Sequence, residues 1–260
     1  GPHFDQYDVF LIQGLGRRRW QIGPVCDGDT PLLPHEDLKL LAEFTATDEW
    51  VLEPGDILYV PPGFAHNGVA VGSDCMTYSV GFRAPSRSDL LGHFVDDILD
   101  GIPDDELYRD PDLARQANPG EILPDALVRL QQMMLESLSD PASFARWFGT
   151  FNSTPKYADM DWQPETPVEP EDVRASINDA VPLLRNPASR MIFIANGDDA
   201  LMLFADGICF DCVGETAAVA KILCAQDSVI LDAALASAPA VVDLLTQLCN
   251  MGCIAFESEE

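Results

Sequence analysis

Basic residues are scarce in this chain. Its 260 residues carry 15 Lys and Arg against 43 Asp and Glu, a formal net charge of −28 at pH 7. A surface that acidic repels phosphate backbones and does not suit an anionic membrane face. From Met191 onward Lys221 is the only basic residue, so that stretch lacks the Lys and Arg a DNA-reading helix needs. The same charge attracts a basic partner, or serves solubility and salt tolerance. No apolar run is long enough to span a bilayer, and no signal-peptide pattern opens the chain. The expectation is a cytoplasmic protein with neither DNA nor membrane as partner. An initiator Met is also lacking. The chain opens at Gly1-Pro2 and is expected to be a fragment whose upstream part is missing.

Ordered cysteine spacing is absent too. Seven Cys, an odd number, are scattered along the chain, and reduced thiols are the expectation. Cys209, Cys212, Cys249 and Cys253 have the chemistry of a four-thiolate zinc site. Against it, Ile208 to Val213 reads as a strand, which sends residues three apart to opposite faces. Nor does any Ser-His-Asp or Cys-His arrangement point to nucleophilic catalysis.

What is present begins with His3-Phe4-Asp5. On a strand, residues two apart share a face, so this spacing presents an imidazole and a carboxylate together. A second imidazole can return from far along the chain. His66 follows the short apolar strand Ile57-Leu58-Tyr59-Val60 and the rigid bend Pro61-Pro62-Gly63, with a return strand from Thr77 to Phe82. A lone His is ordinarily a surface or satisfied core residue, but this one is aimed by its surroundings. Two imidazoles and one carboxylate with the opposite positions open form the facial triad that holds iron(II) for oxygen chemistry.

Gly14-Leu15-Gly16 separates two strand-like runs, Tyr7 to Ile12 and Arg17 to Ile22, and reads as hairpin punctuation. Alternation puts Arg18, Trp20 and Ile22 on one face and Arg17 and Arg19 on the other. Because Trp20 and Ile22 want the interior, Arg18 is carried inward and needs an anionic partner. A dicarboxylate cosubstrate supplies one in bidentate geometry; a structural ion pair or a basic surface patch are the plainer alternatives. Glu53-Pro54-Gly55-Asp56 is a tight turn. Short strands with turn signals at this spacing indicate a β-barrel or sandwich.

Beyond Arg83-Ala84-Pro85 the pattern becomes helical. Asp89 to Leu99 is amphipathic, with Ser88 as its cap. Pro124 to Leu138 aligns Leu127, Leu130, Met134 and Leu138, and Phe144, Trp147, Phe148 and Phe151 cluster on a third helix. Asp104 to Asn118 is a polar link, and Ser153 to Pro170 a Pro-rich, acidic linker. The remainder alternates as helix (Pro170 to Asp179), strands (Met191 to Ala195, Leu201 to Ala205, Ile208 to Val213), helices (Thr216 to Ala225, Ser228 to Ala236, Ala240 to Asn250) and a last strand, Cys253 to Phe256. That is a small α+β module compatible with a winged helix. Expected domains are therefore 1–88, 89–165 and 166–260.

These stretches together resemble a known family. His3-Phe4-Asp5, Gly14-Leu-Gly-Arg-Arg-Arg-Trp20, Glu53 through His66 and Tyr78-Ser-Val-Gly-Phe-Arg-Ala-Pro85 look like the JmjC ribosomal oxygenases, in particular the bacterial arginine hydroxylase branch. The resemblance implies an α+β chain. Its parts are the C-terminal portion of a double-stranded β-helix (a jelly-roll, cupin-like JmjC barrel, N-terminally truncated), a helical dimerisation segment and a C-terminal winged-helix-like domain. It implies iron(II), 2-oxoglutarate and O2, with His3, Asp5 and His66 as metal ligands and Arg18 gripping the distal carboxylate of 2-oxoglutarate. Thr77 stands where close relatives are expected to carry an amide. The implied reaction is hydroxylation at Cβ of an arginine in a basic protein of the large ribosomal subunit, protein sixteen of that subunit, by a homodimer. Histidine hydroxylation or demethylation of another basic protein, and a non-catalytic cupin-like binding protein, are the competing readings.

Overall fold

The computed structural model describes residues 1–35, 38–82, 84–103, 107–111, 115–156 and 160–257. Arg83 and parts of the expected link from Asp104 to Asn118 lie outside the described residues. The chain divides into two compact units, Gly1–Leu90 and Leu91–Glu260.

The first unit is built around strand β1 (Asp8–Val25), antiparallel along most of its length to β4 (Phe64–Phe82). The other edge of β1 is shared. Strand β2 (Asp48–Leu52) pairs with Arg18 to Ile22, and β3 (Ile57–Val60) pairs with Val9 to Ile12. Between them the turn at Glu53 to Asp56 closes on Gln13, whose N–H donates to the Asp56 carbonyl and whose carbonyl accepts from the Gly55 N–H, both at 2.9 Å. The described residues thus form one four-stranded antiparallel sheet in this unit.

The expected hairpin at Gly14-Leu15-Gly16 is not there. β1 runs through it as a continuous strand with register irregularities between Gln13 and Leu15 and between Leu15 and Arg17. Gly16 makes this passage, at φ +61, a left-handed conformation that L side chains avoid. The bulge reverses the phase of the strand. Val9, Leu11 and Gln13 are buried before it, whereas Trp20 is buried and Arg17 and Arg19 are exposed after it. An extra residue in one strand changes which alternate residues face inward. Odd-numbered residues face the core first, and even-numbered ones face it afterwards. The core of the sheet gathers Val9, Leu11, Trp20 and Val60, with Tyr7, Ile22 and Phe64 packed around them. Gly68 lies directly under Trp20; a Cβ there would come within 2.6 Å of the indole.

Helix α1 (Arg87–Gly101) begins in the last residues of the first unit and continues into the second, where α2 (Pro124–Leu138) and α3 (Pro141–Ser153) follow. The α1 start is capped by Ser86 rather than Ser88: the Asp89 N–H donates to Ser86 Oγ at 3.0 Å and the Ser86 N–H to Asp89 Oδ2 at 3.2 Å, a reciprocal cap. Phe94 of α1 is buried against Phe144 and Trp147 of α3. Then follow α4 (Pro170–Asn178), β5 (Leu183–Arg185), β6 (Met191–Ala195), β7 (Ala200–Ala205), β8 (Ile208–Val213), α5 (Glu215–Ala225), β9 (Ser228–Val229), a 3-10 turn (Ala233–Ser237), α6 (Pro239–Asn250) and β10 (Ile254–Phe256). Two antiparallel three-stranded sheets result, ordered β6-β7-β8 and β10-β5-β9. Gly149 of α3 sits against Phe204 of β7, where an added Cβ would meet the ring at 2.3 Å. Val173, Ile177, Leu203, Ala220, Leu245 and Leu248 are in the core.

One expected helix, Ser228 to Ala236, is instead β9 and the 3-10 turn. Val229 pairs with Leu183, and Asp232 accepts the Ala234 N–H at 2.8 Å, capping a new turn. Sheet pairing and an Asp cap override the helical preference of an alanine-rich run.

Candidate metal centre

His3 is not on a continuous strand. It makes a single antiparallel bridge with His66, the His3 N–H donating to the His66 carbonyl at 3.0 Å and the His66 N–H to the His3 carbonyl at 2.8 Å. This bridge brings the two imidazoles to a centroid separation of 4.3 Å. Asp5 lies just beyond the bridge, outside any strand. Its carbonyl accepts the Gly63 N–H at 2.7 Å, so the Pro61-Pro62-Gly63 bend, with Gly63 at φ +81, anchors the backbone at Asp5 as well as aiming His66.

The three side chains converge. Nε2 of His3 and Nε2 of His66 lie 4.0 and 3.7 Å from Asp5 Oδ2, and one ligand atom from each residue falls within 4.8 Å of the others. Those separations are too long for hydrogen bonds and leave a gap suited to a cation. The opposite ring nitrogens are held elsewhere: Nδ1 of His3 lies 3.0 Å from the Gly1 carbonyl and Nδ1 of His66 3.0 Å from the Phe64 carbonyl. A carbonyl only accepts, so each Nδ1 is the donor to its carbonyl and each Nε2 faces Asp5, hydrogen bonds that orient an imidazole for binding a metal. His66 is 2% exposed, and burial, together with the neighbouring His3, pushes its pKa below the ordinary 6.5 despite opposing effects of the Phe64 carbonyl and Asp5. The neutral ligand form is thereby favoured at pH 7. The donor set, two imidazoles and a carboxylate, fits a divalent first-row metal such as iron(II).

Arg18 faces the same space. A cavity of 290 Å³ is lined by His3, Asp5, Arg18, Trp20, His66 and Thr77, large enough for a small dicarboxylate. The guanidinium carbon stands 5.7 Å from the Trp20 ring centroid, and Nε donates to Thr77 Oγ1 at 2.9 Å. No carboxylate pairs with Arg18 among the described residues, so it has no structural ion pair there. A larger cavity of 660 Å³ in the second unit, between Trp162, Val168, Leu184 and Phe256, is mainly apolar. Its one cation, Arg185, is engaged by Asp227 and the Cys224 carbonyl. The smaller cavity is the one that brings His3, Asp5, His66 and Arg18 together.

The cysteines form no second centre. His3, Asp5 and His66 are the only metal-capable cluster among the described residues. All seven Cys are free thiols. Burial pushes Cys249 up to about 11 and Cys253 up to about 12, away from the thiolate that zinc requires. Sequence reasoning misses Gln13, and it marks Thr77 only as a position where relatives are expected to carry an amide. They pair across β1 and β4, Thr77 lining the cavity and Gln13 buried, a pairing that residues far apart in the chain do not announce.

Comparison with known proteins gives a consistent picture. The JmjC domain profile matches residues 1–90, and that of the ROXA-like winged helix matches residues 136–255. The chain is 41% identical over 207 residues to the ribosomal protein uL16 3-hydroxylase of Escherichia coli K12, covering 80% of this chain and 54% of that protein. A shorter stretch of 103 residues is 37% identical to the bifunctional lysine-specific demethylase and histidyl-hydroxylase NO66 of Brugia malayi, covering 36% of this chain and 14% of that protein. The crystal structure of Escherichia coli YcfD superposes with a TM-score of 0.85 at 36% identity, over 99% of this chain and 67% of that one. The same ribosomal oxygenase in complex with cobalt and 2-oxoglutarate gives 0.81 at 34%, over 99% and 66%. The chain spans about half the length of the first of these curated relatives. The fold is thus a JmjC cupin-like one, with antiparallel strands, helices and a ROXA-like winged helix.

Proposed function

The chain belongs to the JmjC ribosomal oxygenase family, and on that premise we propose that it carries the metal and cosubstrate site of an iron(II)- and 2-oxoglutarate-dependent protein hydroxylase. The observation that carries the reading is the convergence of His3, Asp5 and His66 beside Arg18 in one cavity. His3, Asp5 and His66 are read as the metal ligands and Arg18 as the partner of the distal carboxylate of 2-oxoglutarate. That a relative's structure holds cobalt with 2-oxoglutarate supports it. When bound, iron(II) with 2-oxoglutarate and O2 supplies hydroxylation of an unactivated C–H bond, with release of succinate and carbon dioxide. The chain's own part is placement. The carboxylate of Asp5 offsets metal charge, the pinned imidazoles present lone pairs, and Arg18 offers the only guanidinium lining the cavity.

The substrate is read as an arginine, hydroxylated at Cβ, in a basic large-subunit ribosomal protein of the uL16 type. Its support is the 41% identity to a uL16 3-hydroxylase and the net charge of −28, which steers a basic protein toward the site. The setting is cytoplasmic, with no DNA or membrane partner. Residues 1–88 are read as the C-terminal portion of the catalytic domain, 89–165 as the dimerising helices with linker, and 166–260 as the acidic winged helix. The test is turnover with a uL16-derived arginine peptide. The expected product is a peptide heavier by one oxygen on arginine, with succinate formed in equal amount. The NO66 similarity favours a second reading, histidine hydroxylation or lysine demethylation. Oxygen gained on histidine, or methyl lost from a methylated peptide, establishes that one instead. Absence of any 2-oxoglutarate turnover leaves a cupin-like binding protein.

The homodimer is read from α2. Leu127, Leu130 and Met134 lie along one stripe of this helix at 55%, 39% and 67% exposure, and no residue of the helix is buried. A second copy is the expected cover. Leu130→Glu with Met134→Glu is expected to weaken dimerisation by on the order of 100-fold or more, read as a halved mass in sedimentation at micromolar protein. An unchanged mass removes α2 from the interface.

A further inference from the structure

Arg18 shares the cavity wall with Thr77. Gln13 and Thr77 face each other in register across β1 and β4, and Gln13 is 1% exposed. Its side-chain NH2 donates to the carbonyls of Leu15 at 2.7 Å and Gly16 at 3.2 Å. Those two acceptors fix the amide's orientation, because only the nitrogen end can face them. The oxygen end is thereby turned to Thr77, whose hydroxyl donates to Gln13 Oε1 at 2.8 Å. A hydroxyl has one proton. With that proton committed to Gln13, Thr77 Oγ1 meets Arg18 only as an acceptor, and it takes the Nε–H at 2.9 Å. Arg18 Nη1 reaches the Gly68 carbonyl at 3.4 Å, and Nη2 makes no hydrogen bond among the described residues.

We propose that Gln13 and Thr77 form a positioning relay that fixes the guanidinium of Arg18 by its Nε side, so that its Nη edge meets the distal carboxylate of the dicarboxylate cosubstrate. The inference rests on the reading of Arg18 as the cosubstrate anchor. It assigns Thr77 a role different from a ligand contact, since a hydroxyl whose proton is spent cannot donate to a carboxylate. It also gives the bulge a purpose. Gln13 and Arg18 are an odd number of residues apart and would face opposite ways in a regular strand. The phase reversal at Gly14-Leu15-Gly16 brings both to Thr77.

The test uses the protein loaded anaerobically with manganese(II), measuring 2-oxoglutarate affinity by calorimetry, alongside steady-state kinetics with iron(II). Thr77→Val keeps the shape and removes the hydroxyl. It is expected to raise the Kd and KM for 2-oxoglutarate by about tenfold, the scale of one charge-assisted hydrogen bond. Its kcat and its manganese affinity stay within about twofold of the parent. Thr77→Ser, which keeps the hydroxyl, is expected to restore affinity. If Thr77→Val binds 2-oxoglutarate like the parent, or if the Ser and Val variants are impaired alike, the relay is overturned. Arg18→Ala distinguishes the premise from the relay. A large loss of 2-oxoglutarate affinity with manganese binding intact upholds Arg18 as anchor. An unchanged affinity in that variant overturns the anchor and the relay with it.

Discussion

Asp5→Ala is expected to abolish metal binding at the His3–Asp5–His66 cluster and, with it, all 2-oxoglutarate-coupled oxidation. Asp5 is the only anionic donor in the cluster. Without it a divalent ion would rest on two neutral imidazoles, with nothing to offset its charge. Changes outside a metal's own ligands cost about 10–100-fold in affinity, and loss of a ligand is expected to exceed the top of that range. The fold should survive the substitution. The bond that anchors this segment runs from the Gly63 N–H to the backbone carbonyl of Asp5, and an alanine keeps that carbonyl. The His3–His66 bridge is likewise made of backbone groups. Manganese(II) binding, followed by paramagnetic resonance or calorimetry, should therefore vanish while the melting temperature of the metal-free protein stays within a few degrees. A variant that keeps full coupled turnover would refute the metal assignment.

The convergence of His3, Asp5 and His66 is legible in the sequence for a reason only partly correct. The one-residue spacing of His3 and Asp5 predicts two residues on one strand face. The structure has a single bridge at His3 and an irregular backbone at Asp5, held by Gly63. The Pro61-Pro62-Gly63 bend predicts the aim of His66, and its second contribution, fixing Asp5, depends on a hydrogen bond from Gly63 to a residue far away in the chain. Alternation turns Arg18 inward, where it lines the cavity, because Trp20 and Ile22 set the phase locally. The glycines before it signal a turn that the structure does not have. A Gly-x-Gly with left-handed backbone serves a turn or a bulge equally well, and what decides between them is the matching irregularity in β4, far along the chain. Strand β2 gave no alternation to read, since four of its five residues are exposed. The winged-helix elements were legible where periodic runs were long, as in α6. They failed at Ser228 to Ala236, where a three-residue partner strand, β5, supplied the pairing.

Gly16→Ala is expected to be the most damaging single-methyl change in the first unit. Two effects combine there. The residue holds φ +61, which costs a residue with a Cβ about 1–2 kcal/mol. A Cβ at this position would also fall 1.6 Å from the carbonyl oxygen of Asp74, with the Asp74 carbonyl carbon at 2.7 Å. Those are backbone atoms of the paired strand, which no side-chain rotation can move aside. Relieving such overlap adds about 1–3 kcal/mol, so the total is about 3 kcal/mol, against the roughly 5–15 kcal/mol that stabilises a typical domain. Gly72→Ala separates the two effects, because Gly72 has φ +97 but no heavy atom within 4 Å of its Cβ position. In thermal melting, Gly16→Ala should lose roughly 10 °C or more and Gly72→Ala only a few degrees. Equal shifts would show that contact with Asp74 does not matter. The consequence for the site follows from phase. If the strand relieves the clash by giving up its bulge, the residues after Gly16 change face, and Arg17 and Arg19 turn inward in place of Arg18. Gly16→Ala protein that still folds at low temperature is therefore expected to bind the metal through His3, Asp5 and His66 yet bind 2-oxoglutarate as poorly as Arg18→Ala does. Cosubstrate affinity at the parent's level in that folded variant would mean that the bulge does not set the direction of Arg18.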